Sequence, residues 1–269
     1  MRIKPSIFLI ALIILFVALC AKTSFSQTKD YYMLKALPIP AHTQAKQMFT
    51  SVGYDGGIDI NLSYSLPRDM FVFATGNINP FSSERKEGVG ARYKIFKNDY
   101  GATLGLGGFR YSKYNFISSF EYSGGIGLSK IDSYWRYVPA MLESHDQFTN
   151  AFYQTAFVQV NGTKIFSKIH LGAATRLAVN RYGTLEYFMR PKAYVTSNSH
   201  SFATIALEPA LSFSYLVATF RANFQLGVSI PIYTQGVTMA STLVTSEVGS
   251  YGEFYFFWRI AIQHLKNKD

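Results

Sequence analysis

The stretch EFYFFWRIAIQ, residues 253–263, decides the fold. Phe254, Phe256, Trp258, Ile260 and Ile262 share one parity, and Glu253, Tyr255, Arg259 and Gln263 share the other. Successive side chains of a strand point to opposite faces, so this segment has one greasy face and one wet face. The same alternation recurs upstream. Ile58, Ile60, Leu62, Tyr64 and Leu66 oppose Asp59, Asn61, Ser63 and Ser65, and Ile169, Leu171, Ala173, Leu177 and Val179 oppose His170, Gly172, Arg176 and Asn180. Phe220, Ala222, Phe224, Leu226, Val228 and Ile230 oppose Arg221, Asn223, Gln225 and Ser229.

Composition says what the greasy face meets. Only 16% of the 269 residues are charged, while the chain carries 19 Tyr and 23 Phe. A soluble domain is about a quarter charged, so much of this surface must be apolar. Downstream of the amino terminus no apolar stretch approaches the roughly 20 residues that a spanning helix needs. Any membrane crossing must therefore be made of strands, and in lipid strands satisfy their backbone groups only by closing into a barrel.

Counting alternating segments predicts about ten strands within 47–265, joined up-and-down: an all-β, transmembrane antiparallel barrel. Gly and Pro signals place turns at Asp55–Gly56 and Pro67–Asp69. The connections after strands three, five, seven and nine are expected to be long, over about 80–99, 132–149, 183–199 and 233–249. The turns after strands two, four, six and eight are short, and the first hairpin alone breaks the rule, being short where a long connection is due. An even strand number puts both termini on one side, and short turns on that side mark it as periplasmic.

The amino terminus reads as an export signal. Arg2 and Lys4 precede an uninterrupted apolar run from Ile7 to Leu19, too short to span a bilayer as a helix. Ser24 and Ser26 supply small residues before a cleavage point at Gln27. Cys20 stands where a lipoprotein carries its lipidated residue, although Leu19 before it is larger than that signal prefers. With cleavage after Ser26 the mature chain has no cysteine, which excludes disulfides, thiolate metal sites and cysteine nucleophiles. The expected organisation is a signal peptide at 1–26, an extended periplasmic leader at 27–46, a barrel at 47–265 and a polar tail at 266–269. Pro38 and Pro40 keep the leader out of helix and central strand.

The chain resembles the small outer-membrane β-barrel proteins of Gram-negative bacteria. Ser250, Gly252, Tyr255 and Phe257 fit the polar, glycine, aromatic spacing such proteins use in the last strand, although the polar tail replaces their terminal aromatic residue. The resemblance implies an outer-membrane location, lipid as surroundings and insertion by the barrel assembly machinery. It implies nothing about a substrate, and the sequence is silent on oligomeric state.

The wet face carries the candidate chemistry. Asp59, Glu121, Glu208 and Glu253 are acidic, Arg176, Arg221 and Arg259 are basic, and His170 lies among them. Charges of both signs inside a barrel must pair or stay hydrated. They form either a salt-bridge network filling a narrow interior or charge rings along a pore. The expected role is structural or interactive, with a narrow small-solute channel as the form it takes if the lumen is open.

The alternative is an outer-loop hydrolase using His145, Asp146 or His200. General acid–base chemistry requires such groups within about 3 Å of one another, and sequence adjacency does not supply that. No cofactor or metal motif is present, so neither is expected, and no catalytic residue is assigned. The formal charge of +10 comes without a basic, aromatic-interleaved patch, which excludes nucleic acid as a partner. Basic residues facing anionic headgroups explain it instead. Tyr100, Tyr111, Tyr114, Tyr134, Trp135, Tyr182, Tyr215, Tyr233 and Tyr251 near strand ends are expected to form interfacial girdles, with Tyr134, Trp135 and Tyr137 as the alternative for ligand stacking. Glycines such as Gly105, Gly107 and Gly125 are expected to permit close backbone approach.

Overall fold

The computed structural model describes residues 37–54, 57–87, 91–113, 115–138, 145–189, 203–217, 220–234 and 255–267. Ten strands run in order: β1 (Gln47–Tyr54), β2 (Ile58–Leu66), β3 (Met70–Glu87), β4 (Ala91–Tyr111), β5 (Ser119–Val138), β6 (His145–Ile165), β7 (Ile169–Met189), β8 (Ala203–Val217), β9 (Phe220–Thr234) and β10 (Tyr255–Asn267). Each pairs antiparallel with its neighbours in sequence, and β1 pairs with β10 to close the barrel. Closure removes every sheet edge, which is the condition for strands to cross lipid.

The alternation sorts side chains as the sequence predicts. Ile60, Leu104, Ile126, Val158, Phe224 and Ile262 stand exposed on the outside, whereas Asp59, Glu121, Gln159, Arg176, Glu208, Gln225 and Arg259 are buried inside. An apolar exterior on a closed barrel with a polar interior is the architecture of the outer-membrane barrels. No helix among the described residues is long and apolar enough to cross a membrane, which says nothing of strands. The sixth strand, whose facing the sequence leaves open, turns Tyr153, Phe157, Gln159 and Asn161 inward and Phe152, Val158 and Val160 outward.

Two expected loops prove to be largely ladder, and a third is ladder at its start. Glu84 to Glu87 lie within β3, with Glu84 opposite Lys94 and Lys86 opposite Arg92 in β4. The backbone at 132–138 and 145–149 pairs as β5 and β6, and β7 continues to Met189. Apolar alternation stops where lipid stops, but ladder hydrogen bonds need no apolar face and carry the strands onward. At about 3.4 Å per residue and a tilt near 45°, a strand of 21 residues such as β4 rises roughly 50 Å, twice the apolar band of about 25 Å. With 8 and 9 residues, β1 and β2 reach only roughly 20 Å.

Inside the wall a row of paired residues runs Phe73, Gly105, Gly125, Phe157 across β3 to β6. Because the two central positions lack side chains, the flanking rings lean over them and meet at 6.1 Å between centroids. A Cβ on Gly125 would stand 2.5 Å from the Leu104 carbonyl oxygen and 2.8 Å from Phe157 Cζ. Gly125→Val is therefore expected to destabilise the barrel by about 1–3 kcal/mol through overpacking. Urea unfolding in lipid vesicles checks this, since an unchanged midpoint would mean the rings have other room. Phe71, Phe109 and Ala178 complete this buried cluster, so the interior holds an aromatic core as well as charges.

Candidate functional site in the barrel lumen

Residues 37–43 run inside the barrel, and 44–46 form an exposed turn that leads into β1. The sequence reads 27–46 as an extended periplasmic leader, and its described part is free of strand and helix as the prolines require. This strap enters at the end where β1 begins and β10 finishes. Its polar backbone groups find partners on three strands of the wall, and the His42 ring finds one on a fourth. The Gln225 side-chain amide on β9 accepts from the Leu37 N–H at 3.1 Å and donates to the Leu37 carbonyl at 3.1 Å. On β6, Gln159 and Asn161 donate to the Pro38 carbonyl at 2.8 and 3.1 Å. On β5, the Ser119 hydroxyl donates to the His42 carbonyl at 2.9 Å, and Glu121 accepts from the His42 N–H at 2.9 Å. On β2, Ser63 Oγ lies 2.8 Å from His42 Nε2. A buried backbone needs such partners, and here side chains supply them in place of a ladder. Ala41 and Lys46 take left-handed φ angles of 55° and 61°, which bend the strap within the lumen and then into β1.

Apolar contacts seat the same segment. Leu37 packs with Ile39, Ala174 and Ala210. The His42 ring lies against Phe71 and Phe109, with centroids 5.3 and 5.7 Å away. Burial pushes the His42 imidazole down to about 4 from its usual 6.5, so the seated ring is neutral, and Nδ1 has no partner among the described residues. A base whose seated value lies below its released value holds the strap at full strength above pH 6.5. Seating then weakens by about 1.4 kcal/mol per pH unit until about pH 4. Barrel stability measured by urea is expected to fall by about 3 kcal/mol from this residue between pH 7 and 4. In His42→Asn that part of the pH dependence should vanish, and an equal slope in both proteins would assign it elsewhere.

The predicted charges divide into three groups. Arg259 on β10 reaches across β1 to Asp59 on β2, with Nη2 at 2.5 Å and Nε at 2.8 Å from Oδ1, and Nη2 also donates to Ser51 Oγ at 2.6 Å. The bridge passes over Gly53, where a Cβ would stand 2.6 Å from Arg259 Nε and from Asp59 Oδ2. Arg176 on β7 pairs with Glu208 on β8, which also accepts from Ser229, and its guanidinium carbon lies 5.4 Å from the centre of the Phe157 ring. Glu121 has no cation at hydrogen-bond distance among the described residues and serves the strap and Asn161 instead. Arg221 makes no ion pair with a described carboxylate. Glu253 lies outside the described residues, as do His200 and the side chains of His145 and Asp146.

The aromatic expectation is met in part. Tyr100, Tyr111, Tyr215 and Tyr233 are exposed on the outside. Tyr182 is instead buried inside, its ring 5.0 Å from that of Tyr153. A register shift after Phe152 accompanies this, because the β6–β7 pairing passes over Gly183 there. The side chains of Tyr114, Tyr134, Trp135, Tyr137 and Tyr251 lie outside the described residues. Sequence reasoning placed Ser63, Glu121 and Gln225 on the wet face but missed His42, Gln159 and Asn161 and the strap that joins them, and the only signal for the strap was the pair of prolines just upstream. Among the described residues no three His, Cys, Asp or Glu side chains gather as metal ligands would.

No family model matches the sequence, and no curated protein matches it. Solved structures with a similar course of chain include CarO of Acinetobacter baumannii, with a TM-score of 0.35 and 9% identity over 83% of this chain and 98% of that one. The KdgM porin gives a TM-score of 0.31 at 8% identity over 81% of this chain and 98% of that one. The same porin in complex with disordered oligogalacturonate gives 0.32, also at 8% identity, with the same coverage of both chains.

Proposed function

We propose that this protein is an integral outer-membrane barrel closed from within by its own N-terminal strap, a structural barrel at rest and a narrow small-solute channel once the strap leaves. One observation carries the reading: the strap's backbone at Leu37, Pro38 and His42 is bonded to side chains on β5, β6 and β9, and the His42 ring to a hydroxyl on β2. Those side chains are amides, hydroxyls and one carboxylate, groups that water can serve when the strap is absent. A wall designed only to be filled would present apolar side chains there, since a lumen of about eight strands is readily packed solid. The barrel assembly machinery is the partner in biogenesis, on the spacing of the last strand. The hydrolase alternative depends on side chains outside the described residues, and no observation favours it.

Planar-bilayer recordings of the full chain test the proposal. Long closed periods with rare steps are expected, whereas a steady open conductance would overturn closure by the strap.

A further inference from the structure

Between the strap and the wall lies a second, smaller feature, independent of whether the lumen conducts. Ile39, Pro40 and Ala41 of the strap roof a cavity whose wall includes Thr163, His170, Ser212 and Arg221. Among the described residues no carboxylate lines it. Arg221 is half-buried, with its Nε shielded from solvent and, among the described residues, without a hydrogen-bond partner, and Thr163 Oγ1, on a residue only 3% exposed, likewise has none. Elsewhere in this lumen the buried guanidinium groups have carboxylates beside them, Arg176 with Glu208 and Arg259 with Asp59. A shielded donor of a cation left without an acceptor is costly, and an adjoining space lined by further donors is where an anion removes that cost.

We propose that this cavity binds a single halide ion, held by the Arg221 guanidinium and the Thr163 and Ser212 hydroxyls. Size selects the class of anion. The enclosed space admits about one water-sized sphere, which suits a one-atom anion and leaves no room for the four oxygens of sulfate or phosphate. A water molecule there satisfies the hydroxyls but leaves the charge uncompensated. Since strap residues form the roof, the seat is complete only when the strap is in the lumen, and an occupied seat favours the closed form.

Two measurements on the purified full chain decide the matter. In crystals soaked with sodium bromide, the anomalous signal should show one peak beside the Arg221 guanidinium and beneath Pro40. Replacing gluconate by bromide at equal ionic strength should raise the melting midpoint by about 2–4 °C, and Arg221→Gln should abolish that rise. Thr163→Val, which keeps the charge, should reduce it and serves if Arg221→Gln does not fold. A map without the peak, or an equal rise in the variants, overturns the proposal. Neither result bears on conduction, which the bilayer recordings test separately.

Discussion

Arg259→Met is expected to destabilise the barrel by about 3–5 kcal/mol, because it strands the Asp59 carboxylate in the interior without its cation. The magnitude follows from burial. Arg259 is 3% and Asp59 5% exposed, so solvent cannot take over the abandoned charge as it would at the surface. The location amplifies the effect, since the pair links β10 to β2 across β1 and thus staples the seam at which the barrel closes. Urea titration in lipid vesicles measures it. The double variant Asp59→Asn with Arg259→Met should recover most of the loss, as removing both charges leaves no ion behind. A single-variant loss below about 1 kcal/mol would mean that the pair behaves as an exposed one.

Deletion of residues 37–46 is expected to convert rare openings into sustained conductance steps, the largest functional change any alteration of this chain should produce. The strap occupies the lumen between β2, β5, β6 and β9, and its removal leaves Ser63, Glu121, Gln159, Asn161 and Gln225 lining space that water can enter. Folding of the deleted chain is checked first by heat-modifiable migration on gels. A folded, silent deletion variant would show that the Phe71, Phe73 and Phe157 cluster with the two ion pairs seals the lumen alone. The barrel would then be structural only.

How much of this was legible in the sequence depends on the range of the interaction involved. Alternation is a local property, and it placed Asp59, Arg176, Glu208 and Arg259 inside before any pairing was known. Which acid meets which base was not legible, because Asp59 and Arg259 are 200 residues apart and meet only through register and closure. The strap was harder still. An extended, proline-bearing segment has no periodicity to read, and its partners are scattered over strands far away in sequence. Tyr182 was misread because an aromatic residue near a strand end satisfies the girdle pattern on either face. The polar ends of β3 and β4 looked like loop for a related reason: outside lipid, a ladder leaves no hydrophobic trace.

The turn from the strap into β1 has its own consequence. Gln47 Oε1 accepts from the Thr43 and Gln44 N–H groups at 2.8 and 3.2 Å, and Ser65 Oγ accepts from the Gln47 N–H at 2.7 Å. This fixes the point from which the strap swings, so a released strap remains tethered within a few residues of its seat. In binding terms the strap is a ligand whose local concentration is set by its tether, on the order of millimolar for short flexible links. Dilution cannot remove it, and rebinding is a first-order event. Any opening is therefore brief unless something outside the barrel captures the free strap, and the lifetime of the open state reports on that competitor.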